Sequence, residues 1–362
     1  MSDTTRIPAL DGFRALSIIL VLVGHLQGTR GFGRQQLWSI FGDLAHLGVQ
    51  VFFVISGLLI TSLLLEEQER TGTLSLRRFY IRRSLRIFPA FFFFLGALLG
   101  AQAMGWISLS TLDVVTAATY TVNYLVDRSW YVGHLWSLSV EEQFYLLWPF
   151  AMVCAKTRKQ ALVIAVTVFL MAPVVRVAMH VAIPSGPARD LEIFPAVADA
   201  IAAGCVMALT RGYWQQQEWY RRATASPWIW LALIPVLLVS KYKGFTAVDA
   251  LGTPVSLALI AVLIDAGTRR VRGPVAAALN WRPVVFVGTL SYSLYLWQQP
   301  FLNRQCTADV CAFPLNISLA VVCALFSYFL LGRPLLGLRK RYAAPGSQFD
   351  RSRHNMHRSA NV

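Results

Sequence analysis

Charge is scarce in this chain of 362 residues: Asp, Glu, Lys and Arg make up 14% of it, against 56% hydrophobic residues. Acidic residues are the scarcer sign, 18 against 33 Lys and Arg. A soluble core cannot hide that much apolar surface, so a water-soluble globular fold is excluded and an integral membrane protein is expected. Paired C-x-x-C spacing is missing from the five cysteines, which removes the common cysteine metal centres; no metal is expected. No short apolar region followed by a small-residue cleavage site opens the sequence, so the first apolar segment should stay as a signal anchor. No repeat relates two halves of the chain, which counts against a secondary transporter, the main non-enzyme alternative.

What is present is a series of apolar stretches long enough for a hydrocarbon core of about 30 Å. They centre on residues 14–29, 44–65, 88–105, 135–155, 161–182, 193–210, 227–242, 251–267, 284–301 and 314–332. The fold class they imply is all-α, with about ten transmembrane helices. An eleventh stretch, 111–125, is interrupted by Asp113, Asn123 and four threonines and reads as a re-entrant or interfacial helix. Lys and Arg accumulate in cytoplasmic loops. With both termini cytoplasmic and ten spans, 25 of the 33 basic residues fall inside, whereas an eleventh span would reverse everything downstream. The membrane domain is therefore expected over residues 1–335, and a basic, disordered cytoplasmic tail over 336–362.

The same topology explains the net charge of +15. Each basic group near the surface gains about 1 kcal/mol from anionic lipid. Membrane lipids are thus expected partners and nucleic acid is not, because the basic residues are scattered over many loops. Cys154, Cys205 and Cys323 lie in apolar spans and read as small hydrophobes. Cys306 and Cys311 flank a loop on the outer, oxidising side, where a disulfide and two free thiols are both compatible with the sequence.

Three polar constellations interrupt the apolar pattern. Arg14 and His25 lie eleven residues apart, which returns the second side chain to within about 20° of the first and about 16 Å further along a helix. Asp11, three residues before Arg14, is in reach of an ion pair. Buried polar groups of this kind face a protein interior or a wet cavity rather than lipid. The bland alternative for His25 is an interhelical hydrogen bond. In "RRFYIRRSLRIFP" (77–89), Arg78, Arg82 and Arg86 follow an i, i+4, i+8 stripe with Arg83 beside it. These are either topology signal or a phosphate site, since guanidinium forks match phosphate oxygens. In "GHLWSLSVEEQFYLLWP" (133–149), Glu141 and Glu142 fall about 10 Å below the outer surface. An imidazole and a carboxylate at similar depth are the parts of a general-base pair.

Together with "LDGFRA" (10–15), "GVQVFFVISGLLIT" (48–61), "RRSLRIFP" (82–89), "WSLSVEEQFYLLWP" (136–149) and "SYSLYLW" (291–297), these residues resemble the acyltransferase-3 family of polytopic membrane O-acyltransferases, in family order from Leu10 to Pro300. The resemblance implies a bacterial plasma-membrane (inner-membrane) enzyme that moves an acyl group, acetyl by family frequency, from cytoplasmic acetyl-CoA to a hydroxyl of an extracytoplasmic acceptor. That acceptor would be a cell-surface polysaccharide of the cell envelope or its lipid-linked precursor; an antibiotic or other small glycosylated molecule is the alternative. It implies His25 and Glu141 as catalytic residues, with Asp11, Ser137, Ser139 and Glu142 in support. Arg14, Arg82, Arg83 and Arg86 would hold the coenzyme phosphates, and His25 would act as base or carry the acyl group. The esterase-like domain fused to some members is not expected here. For the two serines the bland reading is a bond to a backbone carbonyl. Tyr292, Tyr295 and Trp297 read either as an interfacial aromatic belt or as a stacking surface for the acceptor. The "GVQVFFVISGLLIT" segment reads as packing, with Ser56 and Gly57 allowing close helix approach. After "YLW" the family often carries a histidine, but this chain has Gln298, which cannot titrate near neutrality and stays outside the expected catalytic set.

Overall fold

A computed structural model of the protein describes residues 7–33, 43–183, 192–241, 248–269 and 273–334. The expected tail, 336–362, lies outside the described residues. Helices and short turns make up the described residues, with no strand among them. In chain order they are α1 (Pro8–Leu26), α2 (Leu44–Thr71), α3 (Leu76–Ala103), α4 (Thr111–Ala118), α5 (Trp130–Gly133), α6 (Leu135–Cys154), α7 (Arg158–Ala182) and α8 (Phe194–Gln216). They continue with α9 (Glu218–Ala225), α10 (Leu233–Lys241), α11 (Thr253–Arg269), α12 (Pro274–Asn280), α13 (Arg282–Phe301) and α14 (Leu315–Ser327).

Seven helices among the described residues are long and apolar enough to cross a membrane, or eight if the pair 218–225 and 227–241, bent by 80°, is one span. This is a multi-pass membrane protein. Two further 20-residue helices, α6 and α13, are diluted by polar residues: Ser137, Ser139, Glu141, Glu142 and Gln143 in one, Ser291, Ser293, Gln298 and Gln299 in the other. The 111–125 stretch forms the eight-residue α4, closed at its start by a reciprocal Ser110–Asp113 capping box, and then a turn at Val122–Tyr124. Eight residues rise only about 12 Å, too little to cross.

Small residues set how closely the helices approach. A Cβ on Gly57 would meet the Ile201 carbonyl oxygen at 2.0 Å, and one on Gly204 the Val54 carbonyl oxygen at 2.1 Å, so α2 and α8 touch backbone to backbone. Gly288 of α13 is pressed likewise onto the Asp11 carbonyl of α1 (1.9 Å). On its other side α1 also meets α2 closely, a Cβ on Gly48 falling 2.6 Å from the Ser17 carbonyl oxygen, so α1 is wedged between α2 and α13. Buried charges away from this centre are paired: Arg176 with Asp199 at 2.8 Å, and Asp265 with both Arg211 and Arg269 at 2.7 Å.

Candidate active site

The last turn of α1 carries His25 into the wall of a wide cavity of about 770 Å³. Around it stand Trp130, His134, Trp136 and Gln299, with Arg128 and Glu192 joined by an ion pair at 2.6 Å. Arg304 donates to the Gly24 carbonyl at 2.7 Å and so holds the end of α1 next to His25. The chain beyond it is pinned: Cys306 and Cys311 form a disulfide, and Arg30 pairs with Asp309 and donates to the Thr307 carbonyl at 2.9 Å. The His25 Nδ1 lies 2.7 Å from Gln298 Oε1, a residue 273 positions away.

A second, narrower cavity of about 80 Å³ lies towards the other end of α1. It is lined by Arg14, Arg83, Arg86, Glu141, Glu142 and Tyr292, among others. Arg14 pairs with the buried Asp11 at 3.2 Å, as one turn of helix allows. The Arg83 guanidinium lies over the Tyr145 ring, 3.5 Å from its centre, a cation–π geometry. Glu141 accepts from Ser56 Oγ at 2.5 Å, and Tyr145 donates to the same Ser56 at 3.1 Å.

Val49 and Tyr295 line both cavities. The Tyr295 hydroxyl donates to the His134 carbonyl at 2.9 Å, which leaves it as acceptor for Ser137 Oγ at 2.6 Å. A buried tyrosine, held at both sides of its hydroxyl, is therefore the partition between a histidine cavity and an arginine cavity.

This arrangement separates residues that sequence alone grouped. Glu141 is bonded to Ser56 and lines the narrow cavity, while His25 is bonded to Gln298 and lines the wide one. The cause is depth: Glu141 sits seven positions into the chain after His134, about 10 Å along the helix, and it is the start of that segment, Gly133, His134 and Trp136, that shares His25's cavity. Of the four arginines, Arg14, Arg83 and Arg86 line the narrow cavity, whereas Arg82 turns away to the buried Glu67 at 3.0 Å. Of the three aromatics, Tyr295 alone lines the wide cavity. Tyr292 lines the narrow one and donates to the Ile87 carbonyl at 3.1 Å; Trp297 packs against Phe93 and Phe94. Ser139 donates to the Leu135 carbonyl at 2.9 Å, the bland reading, but Ser137 does not stop there and reaches Tyr295.

Sequence reasoning gives no site role to Gln298, Gln299, Ser56 or His134. Gln298 carried a signal, its departure from histidine after "YLW", and that signal was read only as a loss. His134 is buried, its ring edge-on to Phe94 with 5.7 Å between ring centres. A histidine immediately before the "LWSLSVEE" helix was the available clue. No group of three or more His, Cys, Asp or Glu suited to a metal ion occurs among the described residues.

The fold is thus a helical membrane bundle with two unlike polar cavities that meet at Val49 and Tyr295. The chain belongs to the acyltransferase-3 family: the family profile, described as an acyltransferase domain, matches residues 7–332. It is similar to the peptidoglycan O-acetyltransferase OatA of Listeria monocytogenes, 27% identical over 84% of this chain and 51% of that protein. It is also similar to the putative peptidoglycan O-acetyltransferase YrhL of Bacillus subtilis (26%, 91% of this chain, 55% of that protein) and the O-acetyltransferase OatA of Staphylococcus aureus (26%, 92% and 58%). The chain spans about half the length of these curated relatives. No solved structure matches it.

Proposed function

We propose that this chain is an O-acetyltransferase of the bacterial plasma membrane that moves an acetyl group from cytoplasmic acetyl-CoA to a hydroxyl of a cell-wall polysaccharide on the outer side. The observation that carries the reading is the pair of cavities divided by Tyr295, arginines in one and His25 in the other. Guanidinium groups suit the phosphates of a coenzyme. A cavity of about 770 Å³ with tryptophans and a paired Arg128–Glu192 suits a sugar, whose ring faces stack and whose hydroxyls bond. The names of the relatives point to peptidoglycan as the acceptor class.

In this reading Arg14, Arg83 and Arg86 hold the donor, and the thioester reaches past Tyr295. His25 takes the proton of the acceptor hydroxyl as its oxygen attacks the thioester carbonyl. A C–O bond forms, the C–S bond breaks, and the proton passes on to the departing thiolate. Glu141, with Ser56 and Tyr145, shapes the floor through which the acyl arm enters. Ten spans with both termini cytoplasmic put the arginines on the coenzyme's side and the wide cavity on the polysaccharide's side.

The test joins chemistry to sidedness. Purified protein with acetyl-CoA should release coenzyme A in the presence of a cell-wall oligosaccharide, and His25→Ala should not. In a cysteine-depleted background, an impermeant thiol reagent applied to intact cells should label a cysteine at Asp309 but not one at Arg158. Labelling of the Arg158 probe would overturn the donor and acceptor sides.

A further inference from the structure

His25 ends a chain of amide hydrogen bonds whose direction leaves no choice. The Trp130 main-chain carbonyl can only accept, so Gln299 must meet it with Nε2, at 3.0 Å. Gln299 Oε1 is then turned to the neighbouring amide, and Gln298 must answer with its own Nε2, at 3.1 Å. That leaves Gln298 Oε1 for His25 Nδ1 at 2.7 Å, and an amide oxygen requires the hydrogen to be on that nitrogen. Trp130 Nε1 donates in turn to the Gln299 main-chain oxygen at 2.8 Å, so the carbonyl that starts the chain and the amide that continues it are tied together. Gln298 is 0% exposed and Gln299 4%, so water does not stand in for either amide.

We infer that Gln298 and Gln299 are positioning residues that lock His25 as the Nδ1–H tautomer, leaving Nε2 as the unprotonated nitrogen of a side chain that lines the wide cavity. A glutamine does this where an acidic partner would also bring charge into a site with Arg128, Glu192, Asp43 and Arg304 already around it. An imidazole left to itself in water prefers the opposite tautomer, with the hydrogen on Nε2, which cannot take a proton from a hydroxyl. The kinetic consequence rests on the acyl-transfer reading of His25; the tautomer itself is visible without turnover.

The experiment is ¹⁵N NMR of histidine-labelled protein in lipid nanodiscs, with the His25 signals assigned by their loss in His25→Asn. Wild type should show a protonated Nδ1 and a bare Nε2. Gln298→Leu should move the population towards Nε2–H and lower kcat by about 100-fold, while KM for both substrates stays within about threefold. Gln298→Glu, which keeps an acceptor oxygen at Nδ1, should restore the Nδ1–H signal and part of the lost kcat. Gln299→Leu, which frees the Gln298 amide to turn over, should give a mixed population and an intermediate kcat. A wild-type His25 that is mainly Nε2–H, or a folded Gln298→Leu with unchanged tautomer and kcat, would overturn the relay. An Nδ1–H wild type together with full turnover in His25→Ala would support the relay and remove the acyl-transfer reading instead.

Discussion

The two cavities that meet at Tyr295 are built on opposite principles. The narrow one draws four of its charged groups from two short stretches of sequence, Arg83 and Arg86 within one turn of α3 and Glu141 and Glu142 adjacent on α6, with Arg14 added from α1. The wide one is assembled from distant pieces, with α1 giving His25, the 128–136 segment giving Arg128, Trp130 and His134, and α13 with the loop after it giving Gln299 and Arg304. In the proposed function a phosphate-bearing donor needs a local density of guanidinium groups, which one turn of α3 with Arg14 supplies. Proton transfer to one nitrogen needs a donor, an acceptor and a tautomer fixed in three dimensions, which only several elements together supply.

The difference can be broken experimentally, starting with the largest effect. His25→Ala should lower turnover at saturating donor and acceptor by about 100-fold or more, the scale of general-base catalysis. Coenzyme binding should persist, measured by calorimetry on the same preparation; equal loss of binding and turnover would merge the two cavities into one functional unit.

Next, Arg83→Gln with Arg86→Gln should raise the donor KM by about tenfold or more and leave the acceptor KM unchanged. Lysine at both positions should recover only part of this, because an ammonium lacks the planar fork. Rising salt should weaken donor binding further if the guanidinium groups are wetted. An unaltered donor KM would return these arginines to the role of topology signal.

Glu141→Gln tests the separation directly. It faces Ser56 and lines the arginine cavity, so its effect should fall on the donor, by roughly tenfold in KM, as expected for loss of a charge-assisted hydrogen bond worth about 1.5 kcal/mol. A change confined to the acceptor KM would reconnect Glu141 with His25.

The smallest catalytic effect belongs to Arg82→Gln. Its guanidinium pairs with Glu67, so donor KM should change less than about twofold while thermal stability falls, because a buried carboxylate that loses its charged partner and keeps only the Ser75 N–H at 3.3 Å costs about 1–3 kcal/mol. A donor defect as large as that of the Arg83 variant would put Arg82 back with the phosphates.

How much of this was legible beforehand varies with the distance between partners. Each of the ten apolar stretches carries a helix over most of its described residues, seven or eight of them long and apolar enough to cross a membrane, and the Asp11–Arg14 pair forms as three-residue spacing on a helix requires. The arginine stripe was half legible. Periodicity places Arg82 and Arg86 on one side of α3, yet Arg82 meets Glu67 while Arg83 and Arg86 line the cavity. Helical spacing gives each side chain an angle about its own axis but says nothing of what stands opposite. Ser56 shows the same limit: it sits beside Gly57 in a close-packing segment, as expected, and its hydroxyl is spent on Glu141, which packing alone would not reveal.

By itself the sequence determined what is local or summed: a membrane protein from 56% hydrophobic residues, helices from apolar runs, and a shared face for Arg14 and His25 from eleven residues at 100° each. Tertiary structure alone decided which polar groups touch. It turned Glu141 to Ser56, gave His25 to Gln298 across 273 positions, and set Tyr295 between the two cavities. The reason is that a membrane bundle has little solvent inside to satisfy stray polar groups, so those not satisfied on their own helix must find a partner on another. Which helix that is depends on close approaches such as Gly288 against Asp11 and Gly57 against Ile201, and these are properties of pairs of surfaces rather than of any one stretch of chain.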